Sequence, residues 1–321
     1  MSKEIYRVAI VGLGAVGKRM LTNMKAHPRF DPVIGFDLAP DALDGMAEKP
    51  AGFDLVTSSQ ALFDPDDIDL LYVSTPPQSH AEFVYGGLEK GWNILCEKPL
   101  GISLEASEEL TRAINDHDVM QAVNFVFSGA PAMHAARQHI SDGLIGTPLG
   151  AELTLKFSTW PRGWQAHASW LGGRDQGGMM REVGSHYAYL SQELFGPLAL
   201  KAPLITEFPA ADQAETMVMA QWQSGHGPVS VNARVGGNRQ DIVRYRVLGD
   251  EGCLVFENWY QLFHETPDGL KPLLDTRAAE PLSAYMGQID QLALQLDDGG
   301  KRLADFADAL AVQRLIEAMI R

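Results

Sequence analysis

"IYRVAIVGLGAVGKRM", residues 5–20, decides the fold. A β-branched apolar run ends at Val11, Gly12-Leu13-Gly14-Ala15-Val16-Gly17 follows, and a helical pattern opens directly after it. A G-x-G-x-x-G alone is a weak signal, but between a strand and a helix it stands in the context a dinucleotide-binding turn requires. Gly12 then permits the tight turn, Gly14 lets a pyrophosphate approach the backbone, and Gly17 lets helix and sheet pack closely. The start of the helix, at Ala15 and Val16, offers N–H groups and partial positive charge to phosphates. Twenty residues beyond Gly17 the second apolar run closes on Asp37. Its carboxylate can accept both hydroxyls of an adenosine ribose and would repel a 2′-phosphate. Leu38 and Ala39 come next, with no Arg to receive such a phosphate, so NAD(H) is expected and NADP(H) is disfavoured.

Outward from this stretch, short apolar runs alternate with amphipathic ones as far as residue 124, which predicts a parallel sheet wrapped by helices. The strands are read at 5–12, 31–37, 53–57, 69–75, 92–96 and 119–125, and the helices at 15–27, 40–47, 79–90 and 103–117, the last with Ser103 as N-cap. Residues 1–124 are thus expected to form a doubly wound dinucleotide-binding domain. Beyond it one helix, at 130–142, precedes strand runs near 148–158, 215–223, 228–235, 242–249 and 253–257, joined mostly by short turns. With a helix at 179–195 and closing helices at 283–297 and 302–320, residues 125–321 read as an α+β domain with a large, mostly antiparallel open sheet. Its role is expected to be substrate binding and oligomerisation, with the last helix packing back on the first domain.

The bulk composition narrows the function. In 321 residues, 45% are hydrophobic, enough for a sizeable core, and no run is long and apolar enough for a membrane span. No secretory leader pattern is read at the N-terminus, so a cytoplasmic location is expected. A net charge of −15 repels nucleic acid and anionic membranes alike. Cys96 and Cys253 have no partner at ligand spacing and read as two buried thiols. The acidic run Asp64–Asp69 lacks the glycine and distal glutamate of an EF-hand, so no metal is expected.

The ends of the later strands carry the chemistry. The fourth runs into Ser74-Thr75-Pro76-Pro77 with His80 just beyond, and the fifth into Glu97-Lys98-Pro99. In a doubly wound sheet these carboxyl ends line the ligand crevice, which makes Ser74, Thr75, Pro76, His80 and Glu97 candidate cofactor contacts. Pro99 restricts the backbone of Lys98 to extended geometry, a way to aim the amine into that crevice. Together with GLGAVG, the segments STPPQSH (74–80), GWNILCEKP (91–99), GGMMREVGSH (177–186) and LADFADALAVQRLIEAMI (303–320) resemble the Gfo/Idh/MocA family of nicotinamide-dependent oxidoreductases, along essentially the whole chain. The resemblance implies that Lys98 is a catalytic or substrate-orienting residue. A lysine in a partly desolvated cleft has its charged form disfavoured, which suits it to moving a hydroxyl proton as hydride leaves carbon. It also implies a second catalytic pair in Glu182 and His186, where the family has a D-x-G-x-H pattern. A spacing of four on a helix puts both side chains on one face. Glu182 stands in place of the family's usual Asp, Tyr189 in place of a further common aspartate, and Ser128 and Gly129 where relatives often carry arginine.

The stretch 158–178 holds Trp160, Trp164 and Trp170 with Arg162, Gln165, His167 and Arg174 between them. Flat aromatic faces and fixed donors suit a sugar or polyol ring, so Trp160, Arg162 and Trp164 join Lys98 and His186 as candidate substrate contacts. Arg162 could alternatively clamp a carboxylate, and the tryptophans could form a core or subunit-interface cluster. Three functions remain in view: an NAD-dependent dehydrogenase of a sugar, sugar derivative or polyol; a non-catalytic sugar or dinucleotide sensor on the same fold; and a reductase of an imine or carboxylate-bearing ketone using Arg162. An open sheet face needs cover, as family members often provide by pairing, which predicts a homodimer or homotetramer.

Overall fold

The computed structural model describes residues 3–47, 50–165, 168–237 and 240–321, the side chains at 202 and 203 excepted, so that His167 lies outside the described residues. Two compact units are formed, residues 1–128 with 285–310, and residues 129–284 with 311–321.

In the first unit, β1 (Tyr6–Val11), β2 (Phe30–Phe36), β3 (Asp54–Val56), β4 (Leu70–Val73), β5 (Asn93–Cys96) and β6 (Gln121–Val123) lie in the order β3-β2-β1-β4-β5-β6. Every neighbouring pair is parallel. Parallel neighbours need crossovers, here containing α1 (Ala15–Ala26), the short α2 (Ser59–Leu62), α3 (His80–Glu89) and α4 (Leu104–Asn115). With helices on both faces the central strands read as continuous apolar runs, and all four residues of β4 are buried. Strand order reverses between β1 and β4, so the ligand crevice of such a sheet opens where Val11 and Val73 end. Ser103 caps α4 as predicted, its Oγ accepting from Ala106 N at 3.1 Å.

The predicted helix at 40–47 does not form. Residues 40–45 are turns closed by i to i−3 bonds, Ala42 N to Ala39 O and Asp44 N to Asp41 O, and Gly45 ends them at φ 79°. Too few residues lie between Pro40 and that left-handed glycine to repay helix nucleation.

Ile10 of β1, Tyr72 of β4 and Leu95 of β5 share a core with Met20, Leu21 and Met24 of α1. Ile289, Leu292 and Ala293 join it from α7 (Pro281–Asp298), Ile289 and Leu292 each contributing about 1.5–3 kcal/mol by burial. Asp297 is held by Arg29, at 2.7 and 3.1 Å, and by the Tyr6 hydroxyl at 2.8 Å.

The second unit contains α5 (Pro131–Ser141), then β7 (Pro148–Phe157), α6 (Ser185–Phe195), β8 (Ala199–Glu207), β9 (Met217–Ser224), β10 (Gly227–Val235), β11 (Ile242–Gly249), β12 (Cys253–Glu257), β13 (Gln261–Thr266) and β14 (Gly269–Pro272). The eight strands run in the order β14-β13-β12-β11-β7-β10-β9-β8, antiparallel except for the β7–β10 pair. Three were not foreseen. β8 carries Pro203, which demotes a run to an edge strand, and β8 is indeed an edge. β13 and β14 turn on Thr266-Pro267-Asp268-Gly269, and β14 is exposed throughout, so it shows no apolar alternation.

The inner sheet face packs on α6 and on the end of α8 (Phe306–Ile320). Tyr245 and Ser191 hydroxyls meet at 2.7 Å, and Trp222 Nε1 donates to Met319 Sδ at 3.2 Å. The outer face is chiefly polar, with Lys156, Arg234 and Arg244 exposed and Arg246 bonded to Glu152 at 2.7 Å and Glu265 at 2.5 Å. Of the two thiols, Cys96 is buried but Cys253 only partly, because it sits on that outer face near Arg246. Among the described residues no helix is long and apolar enough to cross a membrane.

Candidate active site

The glycine loop is built by close backbone contacts. A Cβ on Gly12, whose φ is 84°, would lie 2.7 Å from Ser74 O, and one on Gly17 would lie 1.9 Å from Gly12 O. Neither position has room for a side chain. Around Gly14 there is nothing within 4 Å of such an atom. The first turn of α1 that follows, with Ala15 exposed and Val16 partly so, carries no side-chain cap and no acidic residue. Asp37 Oδ2 accepts from Leu13 N at 2.7 Å and Oδ1 from Ala39 N at 3.0 Å, fixing the carboxylate beside the loop with lone pairs still available for hydroxyl donors.

The strand ends divide into braces and open groups. Ser74 Oγ lies 2.9 Å from Val11 O and 2.8 Å from Gly12 O, so its hydroxyl ties β4 to the glycine turn. Pro76 is exposed and precedes a single 3₁₀ turn, Pro77–Ser79. His80, a candidate cofactor contact, braces two loops. It is fully buried, with Nδ1 2.9 Å from Pro99 O and Nε2 2.8 Å from Thr75 O, joining the loops after β4 and β5. Burial lowers its pKa to about 4, although both carbonyls favour the protonated ring. Thr75 Oγ1, in contrast, is buried without a hydrogen-bond partner.

Glu97 accepts from the Tyr72 hydroxyl at 2.6 Å and from Asn124 Nδ2. Burial raises its pKa against these bonds and the nearby Lys98 charge. Tyr72 and Asn124 were missed in the sequence, yet the register explains them. Tyr72 pairs with Leu95 and Leu95 with Ala122, so Glu97 and Asn124, each two residues on, share one sheet face with Tyr72. Asn124 Oδ1 is a second buried polar atom without a partner. Lys98 follows at the end of β5, partly buried, and its bond to Pro99 is cis. An uncapped helix start beside an open glycine, a fixed carboxylate and buried groups lacking partners fit a bound dinucleotide.

In the second unit, Met180–Gly184 form one turn of π-helix that runs directly into α6, a distortion frequent at functional sites. It carries Glu182, partly exposed, and is followed by His186, which is buried. The His186 ring meets Trp259 edge-on at 5.6 Å, and Trp259 also packs on Tyr187 at 5.5 Å. Trp259 has φ 77°, a left-handed conformation that costs a bulky residue about 1–3 kcal/mol and points to a positional role. Nothing in the sequence marks it beyond the preceding Asn258, a residue type tolerant of that region.

Two anchors hold the π turn. Arg181 donates to both oxygens of Glu317, at 2.6 and 2.9 Å, and Glu215 Oε1 accepts from Met180 N at 2.8 Å. The candidate substrate aromatics are arranged around the chain's own cation. The Arg162 guanidinium lies 4.9 Å from the Trp164 ring centre, 5.6 Å from Trp160 and 5.4 Å from Phe157. Trp160 is also bonded through Nε1 to Leu171 O at 2.9 Å, whereas Trp164 is 58% exposed and leaves a face available. Arg162 Nε donates to Gln165 Oε1 at 2.8 Å, and Gln165 Nε2 donates to Glu182 Oε1 at 3.0 Å.

Comparison with known proteins agrees with this fold. Residues 6–125 match the model of an oxidoreductase family with an NAD-binding Rossmann fold, and residues 133–255 match the GFO/IDH/MocA C-terminal domain. The chain belongs to the Gfo/Idh/MocA oxidoreductase family. It is an enzyme of that family, and its cofactor is NAD. Relatives include inositol 2-dehydrogenase of Rhizobium meliloti, 26% identical over 98% of this chain and 96% of its own. Another is levoglucosan dehydrogenase of Pseudarthrobacter phenanthrenivorans, 26% identical over 78% of this chain and 73% of its own. A solved levoglucosan dehydrogenase in complex with NADH superposes with a TM-score of 0.84 at 21% identity, covering 98% of this chain and 96% of that one. A putative myo-inositol dehydrogenase from Sinorhizobium meliloti gives 0.79 at 22% identity, covering the same shares.

Proposed function

We propose that this enzyme transfers a hydride between nicotinamide and the carbinol or carbonyl carbon of a sugar, sugar derivative or polyol, with Lys98 and His186 handling the proton. The arrangement at the strand ends carries the reading: Gly14 is open, Asp37 is fixed beside the loop, Thr75 Oγ1 lacks a partner, and Lys98 follows at the end of β5. Gly12, Gly14, Ala15, Val16, Gly17 and Asp37 hold the dinucleotide, with Thr75, Pro76 and the Glu97 backbone lining the strand ends. Bound there, NAD supplies the hydride-accepting chemistry.

In the oxidative direction, Lys98 takes the hydroxyl proton as the carbinol C–H gives up its hydride, leaving a ketone or lactone carbonyl. His186 hydrogen-bonds the substrate hydroxyl or relays its proton, and Trp259 keeps the imidazole in place. Trp164 offers a flat face to a sugar ring. That relatives over most of the chain are inositol and levoglucosan dehydrogenases supports this substrate class. The use of Arg162 as a carboxylate clamp is disfavoured by its engagement with Gln165 and Glu182. A homodimer or homotetramer remains part of the proposal; the mainly polar outer sheet face would meet a second copy through ion pairs more than apolar cover, and light scattering gives the mass in solution.

The deciding experiment is a panel of sugars, anhydrosugars, cyclitols and hydroxy acids followed at the NADH absorbance. NADH formation with members of the polyhydroxylated neutral set is the expected result. Turnover confined to imines or keto acids would overturn the reading, as would NADH binding without turnover of any compound.

A further inference from the structure

We infer that Glu182 sets the ligand charge this site accepts: by acting as the internal counter-ion of Arg162, it withdraws the guanidinium from ligand recognition and selects uncharged polyhydroxy ligands over hydroxy acids. The inference deepens the proposed dehydrogenase function and rests on it for the nature of the site.

A lone Arg among aromatic rings at such a site would ordinarily be read as a carboxylate receptor, since its planar fork binds a carboxylate with two parallel bonds. Here Nε is hydrogen-bonded and the guanidinium stands at ion-pair distance from a carboxylate. Arg162 Nη2 lies 3.9 Å from Glu182 Oε1, and the same oxygen accepts from Gln165 Nε2 at 3.0 Å. The other end of that amide, Oε1, accepts from Arg162 Nε at 2.8 Å. Gln165 is only 2% exposed, and its neighbours fix its polarity, because a flipped amide would set NH2 against the guanidinium and oxygen against the carboxylate. Gln165 is therefore a rigid link between cation and anion.

Asp241 is a second carboxylate whose charge acts on Arg162; it is itself held by Ser158 N at 2.9 Å. One guanidinium thus faces two carboxylates, so Arg162 offers a ligand carboxylate no uncompensated positive charge. Burial lowers the Arg162 pKa and these two anions oppose that effect, consistent with a cation maintained from within the protein.

The same geometry accounts for glutamate at this position. The shorter aspartate usual in the family would withdraw its oxygens by about 1.5 Å, out of hydrogen-bond reach of Gln165 and further from Arg162. The extra methylene lets one carboxylate stand on the π turn and still neutralise the arginine.

The test uses a matched pair of ligands, L-tartrate and L-threitol, which share a four-carbon skeleton and differ in having carboxylates or hydroxymethyl groups at the ends. Their binding to the NADH-loaded protein is measured by calorimetry for wild type, Glu182→Gln, and Glu182→Gln combined with Arg162→Gln. Glu182→Gln is isosteric and frees the guanidinium. Tartrate affinity is expected to rise at least 10-fold in it, with threitol affinity changed less than threefold, and the gain should vanish in the double variant. No gain for tartrate overturns the inference, including the case where it is too weak to detect in both proteins. A gain that persists without Arg162 also overturns it. Failure of the proposed dehydrogenase function would appear in the turnover panel instead, since the tartrate ratio requires no catalysis.

Discussion

Glu317→Ala is expected to destabilise the second unit by about 3–5 kcal/mol, the cost of leaving one member of a buried ion pair uncompensated. Arg181 is 8% exposed and Glu317 2%, and two bonds of 2.6 and 2.9 Å join them. Arg181 also donates to Arg174 O at 2.5 Å and Gly177 O at 2.8 Å, so the stranded guanidinium could not swing out to water without breaking the loop before the π turn. Against a total stability of about 5–15 kcal/mol this is a large fraction. Replacing both partners, as Arg181→Met with Glu317→Leu, removes charge and counter-charge together and should recover part of that loss, the remainder reflecting the Arg174 and Gly177 carbonyls left without their donor. Urea unfolding followed by tryptophan fluorescence measures both variants. Acid adds a check on sign. Burial pushes the Glu317 carboxyl up, but Arg181 and Arg321 outweigh it and hold the pKa below the usual value. Its contribution is therefore present above the unfolded pKa and is lost as pH falls through the folded one. A Glu317→Ala penalty below about 1 kcal/mol, or a double variant no more stable than the single one, would refute the reasoning.

Other consequences follow from the same geometry. Lowering the His80 pKa from 6.5 to about 4 makes the unfolded chain the better proton acceptor between those values. Stability should therefore fall by roughly 3 kcal/mol from pH 7 to pH 4 on this account, and His80→Gln should flatten that slope in pH-dependent urea titrations. Gly14→Ala should fold with an unchanged melting temperature yet bind NADH at least 10-fold more weakly, because its methyl occupies open space in the cradle. Gly17→Ala, facing Gly12 O at 1.9 Å, should lose about 1–3 kcal/mol or more of stability; equal melting temperatures for the two would count against this reading of the loop. Trp259→Ala removes the ring against His186 and should lower kcat while leaving the NADH dissociation constant within threefold, whereas an unchanged kcat would make Trp259 a packing residue only.

The parallel sheet was legible because periodicity and glycine spacing act locally: the β-branched runs, the strand–glycine–helix order and the Ser103 cap all follow from near neighbours in sequence. The misreading at 40–47 had a local cause too, since the apolar pattern there outweighed a glycine whose left-handed backbone ends the turns. What stayed hidden depends on distant residues. That His80 braces two loops follows from where Thr75 and Pro99 come to rest, and neither position is encoded beside it. Likewise, Arg162 reads as a receptor until Glu182, twenty residues on, is seen sharing Gln165 with it. The Tyr72–Glu97–Asn124 cluster lay between these cases: period-2 alternation puts all three on one face once strand register is known, and register is what the sequence lacks.

The role given to Lys98 is tested most directly by Lys98→Met, with NADH affinity and turnover of a substrate from the neutral panel measured on one preparation. NADH should bind within threefold of wild type while kcat falls by about 10²–10⁴-fold, the range a positioned acid–base group contributes. Turnover within threefold of wild type, or a fall in kcat matched by an equal loss of NADH binding, would contradict it.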